Sequence, residues 1–327
     1  MKSLALRYQQ HGVPLDVLSL EEIALPDPGP GQALVKLLMA SINPSDFGMV
    51  LGNYGKLKTL PAVAGREAVG EVVAVGSGVT DVKPGQRVRF PEDAGCWQTY
   101  CIAQVAELWP IPQDVPTELA AMAWVNPPTA WRLLRDGHLG IGDWVIQNAA
   151  NSAVGVFVIQ MAKHLGLRTV NVVRREDLIA PLKKLGADVV VLDNDEYPKN
   201  IHKLTGGSAV HLALNSVGGE SAIRLVKSLS EEGKLVTFGA MSFEAVRFPT
   251  RHLIFSDISL SGFWMDRWLR VHSRPRAQIM FDKIFTLMRT GALTAPVEKV
   301  YPLAGYKEAL AHAAKPRLGK ILFRGEA

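Results

Sequence analysis

The chain has 327 residues, 48% of them hydrophobic, and 36 Lys and Arg against 31 Asp and Glu give a formal charge of 36 − 31 = +5. This composition is typical of a folded globular protein and excludes disordered, collagen-like and disulfide-stapled classes. Its two cysteines, Cys96 and Cys101, are too few for a four-cysteine zinc site or a framework of several disulfides.

The ends and the charge pattern narrow the cellular setting. The N-terminal segment lacks the apolar run of a secretory signal peptide, and no stretch approaches the roughly 18 apolar residues of a bilayer span. The basic residues are scattered instead of forming a run, which argues against nucleic-acid binding. We therefore expect a cytoplasmic protein with neither a membrane nor a nucleic acid as partner.

The first third of the chain predicts a compact β-rich domain. Short Val, Leu and Ile segments at Ala33–Met39, Ala68–Val75 and Arg87–Phe90 are separated by Gly- and Pro-containing turns. The period becomes helical between Thr117 and Arg135, with Pro127-Pro128 suited to a first helical turn. The length predicts two domains of roughly 150 residues, and we place the boundary here, with residues 1–120 and 266–327 in the β-rich domain and 121–265 in the other.

From Asp143 onward, strand patterns alternate with helix patterns, which predicts a doubly wound α/β domain with a parallel sheet. Gly166, Gly186 and Gly233 follow the helices, where left-handed helix termination favours glycine. A helix near Gln278–Arg289 and a strand at Lys320–Phe323 are expected to return to the first domain. The predicted strands of the sheet are Trp144–Asn148, Thr169–Val173, Val189–Leu192, His211–Val217, Lys234–Phe238 and Ile258–Phe263, and its helices are Ala153–Leu165, Leu178–Leu185 and a segment around Ser221–Ser230.

The turn after the first of these strands is suited to binding a pyrophosphate. It reads Asn148-Ala-Ala-Asn-Ser-Ala-Val-Gly155, and its small residues allow backbone N–H groups and the positive end of the next helix to approach a phosphate. Only Gly155 remains of a glycine-rich fingerprint. The alternative is a tight turn between strand and helix that binds nothing.

The end of the second strand indicates which dinucleotide would bind. Dinucleotide folds that use NAD carry an acid here, whereas this chain has Arg174-Arg175, and guanidinium groups suit the 2′-phosphate of NADPH. Glu176 follows directly and competes with that reading, and a solvated arginine pair is the alternative. The turns Asn215–Gly219 and Phe238–Met241 end later strands and are expected to line the nicotinamide side, unless they are ordinary turns.

Taken together, these segments resemble the medium-chain dehydrogenase/reductase superfamily over essentially the whole chain. Gly70–Val88 is similar to its β-rich, GroES-like catalytic domain, and the second domain to its Rossmann cofactor domain. The superfamily's zinc alcohol dehydrogenases carry Cys at the position of Asn43 and His at that of Arg66, and add a four-cysteine lobe that is missing here. The resemblance therefore implies a protein that holds no metal.

Within the zinc-free members, which include quinone oxidoreductases, the chain most resembles the 2-enoyl thioester reductases of the mitochondrial and yeast type. The resemblance rests on Ile42–Asp46, Gly52–Tyr54, Asn126–Ala130, Gln147–Gly155, Asn171–Arg174, Leu212–Gly219 and Gly262–Trp264. It implies that Tyr54 assists protonation of the substrate. It also implies NADPH contacts from Asn126, Asn151, Ser152, Ala153, Val154, Arg174, Arg175, Glu176, Phe238, Gly239, Ala240, Met241, Phe263, Trp264, Met265 and Lys320.

The sequence departs from this family in four places. Ala153 and Ala240 stand where Gly is usual, and Arg175 stands where Asp is frequent. A methyl group at Ala153 crowds the pyrophosphate slightly, and Arg175 strengthens binding of the 2′-phosphate. The segment Gly55–Thr59 also differs, which leaves the carrier of the acyl group open between CoA and acyl carrier protein.

The expected activity is NADPH-dependent reduction of the C2–C3 double bond of a trans-2-enoyl thioester by a homodimer that pairs along Ile258–Phe263. A quinone or a free enal or enone is the alternative substrate, and an NADPH-binding crystallin-like or sensor protein is the non-enzymatic alternative. The alternative for Tyr54 is that this loop tyrosine is a packing residue or an amphipathic surface group without a catalytic role. Asp46 and Glu67 either form a charged pair or polar support for the cleft, or are ordinary structural or solvated carboxylates.

Overall fold

The computed structural model describes residues 1–325, which divide into two compact units. The first unit comprises Met1–Val125 and the C-terminal stretch from Ala295, and the second comprises Asn126–Thr294. Residues 266–294, which we expected in the β-rich domain, lie in the second unit. The reason is the helix Arg274–Arg289, whose apolar side chains are buried within that unit.

The part of the first unit before residue 125 is mostly strand. Its strands are β1 (Lys2–Tyr8), β2 (Ser19–Ala24), β3 (Gln32–Ser41), β4 (Ala62–Val63), β5 (Ala68–Val75), β6 (Arg87–Arg89) and β7 (Tyr100–Gln104). Its helices are short: α1 (Pro14–Val17), α2 (Pro44–Leu51) and α3 (Thr117–Ala120).

The second unit alternates helices with strands. The helices are α4 (Asn126–Arg135), α5 (Ala153–His164), α6 (Ile179–Lys184), α7 (Glu196–Lys199), α8 (Ile201–Leu204), α9 (Gly219–Lys227), α10 (Thr250–Phe255), α11 (Met265–Val271) and α12 (Arg274–Arg289). The strands are β8 (Trp144–Gln147), β9 (Arg168–Val173), β10 (Val189–Leu192), β11 (Val210–Asn215), β12 (Lys234–Thr237) and β13 (Ser259–Gly262). Within residues 1–325, no helix has the length and hydropathy needed to cross a bilayer.

The C-terminal stretch completes the first unit with β14 (Val297–Pro302), α13 (Tyr306–Ala313) and β15 (Lys320–Arg324). The main sheet runs β14-β15-β3-β5-β6, and a smaller sheet runs β2-β1-β4. Strand β3 is shared along its length, because its first half pairs with β7 and its end, at Met39–Ser41, pairs antiparallel with β15. This pairing brings Lys320, at the start of β15, next to the chain that follows β3.

All strands of the second unit pair in parallel, in the order β10-β9-β8-β11-β12-β13. Counted from β8 this is the order 3-2-1-4-5-6 of a doubly wound dinucleotide-binding sheet. The predicted fold class is therefore confirmed. The order reverses between β8 and β11, and ligands of such sheets bind outside the carboxyl ends of the strands at that point.

The predicted helix ends agree with the structure except at one glycine. Gly166 and Gly186 follow α5 and α6 with φ of 74° and 108°, in the left-handed region. The expectation for Gly233 is wrong, because α9 ends at Lys227 and Glu232 adopts the left-handed conformation, with φ 60°. Gly233 instead closes a turn in which its N–H donates to the Ser230 carbonyl at 3.1 Å.

Candidate active site

The turn between β8 and α5 presents a helix N-terminus at the carboxyl edge of the sheet. Ser152 caps α5, and its Oγ accepts the Gly155 N–H at 3.1 Å. A Cβ on Gly155 would lie 2.5 Å from the Ala150 carbonyl oxygen, so only glycine permits this close approach of turn and helix. The backbone N–H groups of the first helical turn, at Ala153 and Val154, have no partner within the helix and suit a phosphate anion.

A network of neutral amides fixes the loops beside this turn. Asn148 Nδ2 donates to Asn215 Oδ1 at 2.8 Å, and Asn148 Oδ1 accepts the Ser216 N–H at 2.8 Å. Asn215 Oδ1 also accepts the Gly218 N–H at 3.1 Å, and its Nδ2 donates to Thr237 Oγ1 at 3.1 Å. The carboxyl ends of β8, β11 and β12 are thereby tied together by side chains that carry no charge.

The buried hydroxyl of Ser216 lies in the same place and is unsatisfied. Its Oγ has no hydrogen-bond partner among residues 1–325, although the residue is only 4% exposed. Buried polar atoms are rarely left without a partner, so this atom points to a polar ligand. Together with the tight Gly155 turn, it shows that the residues at this edge fit a dinucleotide.

The residues expected at the 2′-phosphate follow β9. Arg174 is exposed, and no ion pair of its guanidinium is found in the described part of the chain. Arg175 is partly exposed, with Nε 3.5 Å from Asp177 Oδ1, and Glu176 is exposed at the start of a 3₁₀ turn. Arg174 is therefore the more exposed of the two guanidinium groups.

Two further groups of expected cofactor residues lie at the same sheet edge. Phe238, Gly239, Ala240 and Met241 follow β12, where the Phe238 N–H donates to the Asn215 carbonyl at 2.9 Å and the Met241 N–H to the Ser216 carbonyl at 3.0 Å. Phe263, Trp264 and Met265 follow β13, and the Phe263 N–H donates to the Thr237 carbonyl at 2.9 Å. Asn151 lies in the turn after β8, and Asn126 is buried at the start of α4.

The first unit holds a buried group of polar residues, which we name the Asn43 cluster: Asn43, Asp46, Arg66, Glu67 and Lys320, each at most 6% exposed. Asn43 is central. Its Nδ2 donates to Glu67 Oε1 at 2.8 Å, its Oδ1 accepts from Lys320 Nζ, and its backbone N–H donates to Asp46 Oδ2 at 2.6 Å. Lys320, expected to contact NADPH, thus makes its observed contacts within the first unit.

The Glu67 carboxylate is fully satisfied by the first unit. Oε1 accepts from Ser41 Oγ at 2.7 Å, and Oε2 accepts the backbone N–H groups of Trp124 at 3.1 Å and Val125 at 2.8 Å. Glu67 therefore fixes the chain at residues 124–125, just before the second unit begins. Its role is structural, and it is not solvated.

Burial disfavours the charged forms of both Asp46 and Lys320. Burial raises the pKa of the Asp46 carboxyl, although its backbone hydrogen bond and the charges of Arg66 and Lys320 oppose the rise. Burial also lowers the pKa of the Lys320 amine, against the charges of Glu67 and Asp46. In residues 1–325, Asp46 Oδ1 has no hydrogen-bond partner. These two groups therefore favour their uncharged forms more than exposed side chains do.

Tyr54 lies just after α2 and beside the Asn43 cluster. The chain turns at Gly52, which has φ 83°, and the Asn53 N–H donates to the Gly48 carbonyl at 3.0 Å. A Cβ on Gly48 would lie 3.3 Å from Tyr54 Cβ, so Tyr54 packs closely on α2. The Arg66 Cζ lies 4.5 Å from the centroid of the Tyr54 ring.

Family models and relatives agree on where this chain belongs. An alcohol dehydrogenase GroES-like domain matches residues 29–113, and a zinc-binding dehydrogenase domain matches residues 153–278. The mitochondrial enoyl-[acyl-carrier-protein] reductases of Rattus norvegicus and Homo sapiens are 42% and 43% identical to it over 320 residues, covering 95% of this chain and 86% of each relative. The chain belongs to the enoyl thioester reductase family.

Solved structures support the assignment of this chain to the enoyl thioester reductase family. The complex of Etr1p, a 2-enoyl thioester reductase of Candida tropicalis, with NADP and crotonyl-CoA superposes with a TM-score of 0.90 at 28% identity, covering 99% of this chain and 100% of that one. A protein described as an NADPH:quinone reductase of Bacillus thuringiensis gives a TM-score of 0.91 at 27% identity, with 100% of both chains covered. The expected family and GroES-like plus Rossmann fold are confirmed.

The residues of this reductase do not fit the zinc ion that one of the matching family models implies. Asn43 and Arg66 supply an amide and a cation where the superfamily's zinc enzymes supply thiolate and imidazole. Among the described residues, no group of three His, Cys, Asp or Glu is placed to hold a metal. Both cysteines are buried, and burial raises the pKa of each thiol. We therefore derive no step of the reaction through a metal.

Sequence reasoning identified more of the residues of the site than of the contacts between them. It named the Asn215–Gly219 turn but not the amide network, and it treated Arg66 only as a residue that is not a zinc ligand. One signal was present: Asn43 followed three residues later by Asp46, with Pro44 between, is the pattern of a helix N-terminal capping box. It predicts the start of α2 and the hydrogen bond from the Asn43 N–H to the Asp46 carboxylate.

Proposed function

We propose that this protein uses NADPH to reduce the C2–C3 double bond of trans-2-enoyl thioesters. The observation that carries the proposal is the 42–43% identity, over 95% of the chain, with enoyl-[acyl-carrier-protein] reductases. The geometry supports it with a dinucleotide edge in the second unit and a tyrosine beside a buried cation in the first.

The second unit binds and orients the cofactor. The N-terminus of α5 and the Ser152 turn receive the pyrophosphate, and Arg174 receives the 2′-phosphate that distinguishes NADPH from NADH. The loops after β12 and β13 shape the nicotinamide end of the site. The reduced nicotinamide, when bound, supplies the hydride.

The first unit handles the proton. Hydride forms the new C–H bond at the β-carbon and the π electrons move toward the thioester oxygen as an enolate; the Tyr54 phenol then gives its proton to the α-carbon. Water returns a proton to Tyr54. A tyrosine phenol in water has a pKa of about 10, so it is protonated at neutral pH and can donate its proton. The π bond is consumed, two C–H bonds form, and NADPH is oxidised to NADP.

A quinone is the second candidate acceptor, because the quinone reductase described above superposes as closely as Etr1p. Steady-state rates with crotonyl-CoA, hexenoyl-CoA, a free 2-alkenal and a quinone separate the candidates. We expect kcat/KM for an enoyl-CoA to exceed that for the quinone by at least about tenfold. The reverse order overturns the thioester assignment, and no NADPH oxidation with any acceptor favours the crystallin-like or sensor alternative.

The proposal also concerns the carrier to which the acyl group of the substrate is attached. The acyl group is carried by CoA or by acyl carrier protein, and rates with both carriers at matched chain length decide between them.

We also propose a homodimer that pairs along β13, which lies at the edge of its sheet with exposed Ile254 and Phe255 nearby in sequence. Light scattering is expected to give twice the chain mass; a monomer overturns the dimer.

A further inference from the structure

The Arg66 side chain is an unusual group to find in a protein interior. It is 2% exposed, and its guanidinium is held on one side by Glu92, whose Oε1 accepts from Arg66 Nε at 2.8 Å and from Nη2 at 2.6 Å. Burial works against ionisation of Glu92, but the charges of Arg66 and Arg89 outweigh it and lower the pKa of that carboxyl. Glu92 is therefore a carboxylate that fixes the guanidinium in place.

The same cation also lies over the ring of Tyr54. The Arg66 Cζ lies 4.5 Å from the ring centroid, within the range of a cation–π interaction. Arg66 is buried and Tyr54 is partly buried, and a cation–π contact strengthens as its partners are removed from water. The arrangement therefore runs in order from the Glu92 carboxylate through the Arg66 cation to the face of the Tyr54 phenol.

The loop that carries Tyr54 explains why such support is needed. Gly52 and Gly55 on either side have φ of 83° and 30°, so the tyrosine sits in an irregular turn outside regular secondary structure. Close packing on Gly48 of α2 limits one side of the residue. The Arg66 guanidinium, fixed by Glu92, lies over the face of its ring.

We propose that Arg66 is a positioning residue for Tyr54, which holds the phenol in one orientation and favours the negative charge that develops on it as its proton leaves. This inference rests on the proposed function, in which Tyr54 is the proton donor.

Arg89 provides a matched control. Its Nη2 also donates to Glu92, at 3.1 Å to Oε2, but its guanidinium faces the Trp124 ring, with Cζ 4.9 Å from the centroid. Arg66→Gln and Arg89→Gln therefore each remove one cation from the same carboxylate, and each leaves the other cation in place. Only the first removes the cation from Tyr54.

The test is a double-substitution cycle with Tyr54→Phe, read as kcat for crotonyl-CoA. We expect Arg66→Gln to lower kcat about 5- to 30-fold, with KM for NADPH and for crotonyl-CoA within about twofold of wild type. Arg89→Gln is expected to keep kcat. In the Tyr54→Phe background, Arg66→Gln is expected to cause no further loss of kcat, because a residue that acts through Tyr54 has nothing left to position.

Several results overturn the inference. An equal loss of kcat from Arg66→Gln with and without the Tyr54 hydroxyl shows that Arg66 acts by another route. An unchanged kcat in the single variant shows that Arg66 does not contribute to turnover. If Arg66→Gln does not fold, Arg66→Lys carries the same cycle with a cation that lacks the planar fork, and its loss of kcat must again vanish in the Tyr54→Phe background. Full turnover by Tyr54→Phe alone removes both the role of Tyr54 and this inference, whereas a large effect of Tyr54→Phe with no effect of Arg66 removes only the inference.

Discussion

The polar interiors of the two units differ in kind. In the second unit, the buried polar side chains at and behind the cofactor edge are neutral amides and hydroxyls. Among the amides, Gln147 donates to Asn171 at 2.8 Å, and Asn148 donates to Asn215 at 2.8 Å. In the first unit, the Asn43 cluster combines two buried carboxyls with two buried cations around a single amide.

The difference follows from what each interior has to do. Neutral amides hold loops in shape without adding charge, so the field at the α5 N-terminus stays positive for an anionic cofactor. Ionisable groups in a buried cluster cost desolvation free energy and respond to pH, but they supply charge next to a proton donor. Substitutions of Tyr54 and of the Asn43 cluster are therefore expected to change kcat and pH dependence, and those at the cofactor edge of the second unit to change the affinity for NADPH.

The sharpest test of this separation is Tyr54→Phe. Removing a proton donor is expected to lower kcat by about 10²- to 10⁴-fold, the usual worth of general acid catalysis. KM for NADPH is expected to stay within about twofold, because the proposed cofactor residues of the sheet edge are untouched. Steady-state kinetics with crotonyl-CoA measure both constants. A parallel loss of NADPH affinity contradicts the separation.

Arg174→Gln tests the second unit. Hydrogen bonds to charged groups are worth about 1.5–3 kcal/mol, so KM for NADPH is expected to rise by about 10- to 100-fold while KM for NADH is unchanged. Arg168→Gln is the matched control, because Arg168 lies at the opposite end of β9, where it pairs with Asp188 at 2.7 Å. Equal effects of the two substitutions would show only a general loss of positive charge.

Gly155→Ala tests the tight turn directly. The new Cβ would lie 2.5 Å from the Ala150 carbonyl oxygen, which is backbone, so the turn has to shift. Overpacking of this kind costs about 1–3 kcal/mol, and we expect a lower free energy of unfolding together with a higher KM for NADPH.

The control for this turn is Gly140→Ala, whose Cβ meets nothing closer than Asp143 Oδ2 at 3.6 Å. Urea denaturation and NADPH titration of both variants compare them. Wild-type NADPH affinity in a folded Gly155→Ala protein would place the pyrophosphate elsewhere.

The second unit is the part that the sequence predicts best. Strand β10 has the predicted bounds, Val189–Leu192, and the ends of the other strands of its sheet lie within two residues of their predicted positions. The reason is that the signals are local: a short β-branched run, a glycine after the helix, and small residues in the turn that follows β8.

The Asn43 cluster could not be predicted in the same way. It joins residues 43–46 and 66–67 to Lys320, through the pairing of β3 with β15 across most of the chain. No local pattern specifies that partner. Charged side chains are also the ones that sequence reasoning places at the surface, so the burial of Asp46, Arg66 and Lys320 runs against the usual preference. The prediction for α12 was wrong for a different reason, because the apolar face of this helix does not show which unit it packs on.

The last prediction concerns Asp46 and is specific to the charged interior of the first unit. At any one pH it is the smallest of the expected effects, and it is measured as a change in the free energy of unfolding. Burial raises the pKa of its carboxyl from 3.8 to about 7, so the folded protein holds this proton more tightly than the unfolded chain. The stability that this group contributes is present below its unfolded pKa and is lost as the pH rises through the folded pKa. One such proton gives a slope of at most about 1.4 kcal/mol per pH unit.

Asp46→Asn removes this titration and keeps an oxygen to accept the Asn43 N–H. We expect urea unfolding free energies of wild type to fall relative to the variant between about pH 5.5 and about 6.5, a window below the change of Lys320, whose pKa burial lowers only to about 8. Asp81→Asn, at an exposed position of the same unit, is expected to leave the wild-type slope unchanged. A constant offset between Asp46→Asn and wild type across the window would mean that Asp46 is already ionised there. The first unit would then hold a fixed ion pair that contributes no pH response in this range, and the contrast with the neutral amides of the second unit would lie in charge alone.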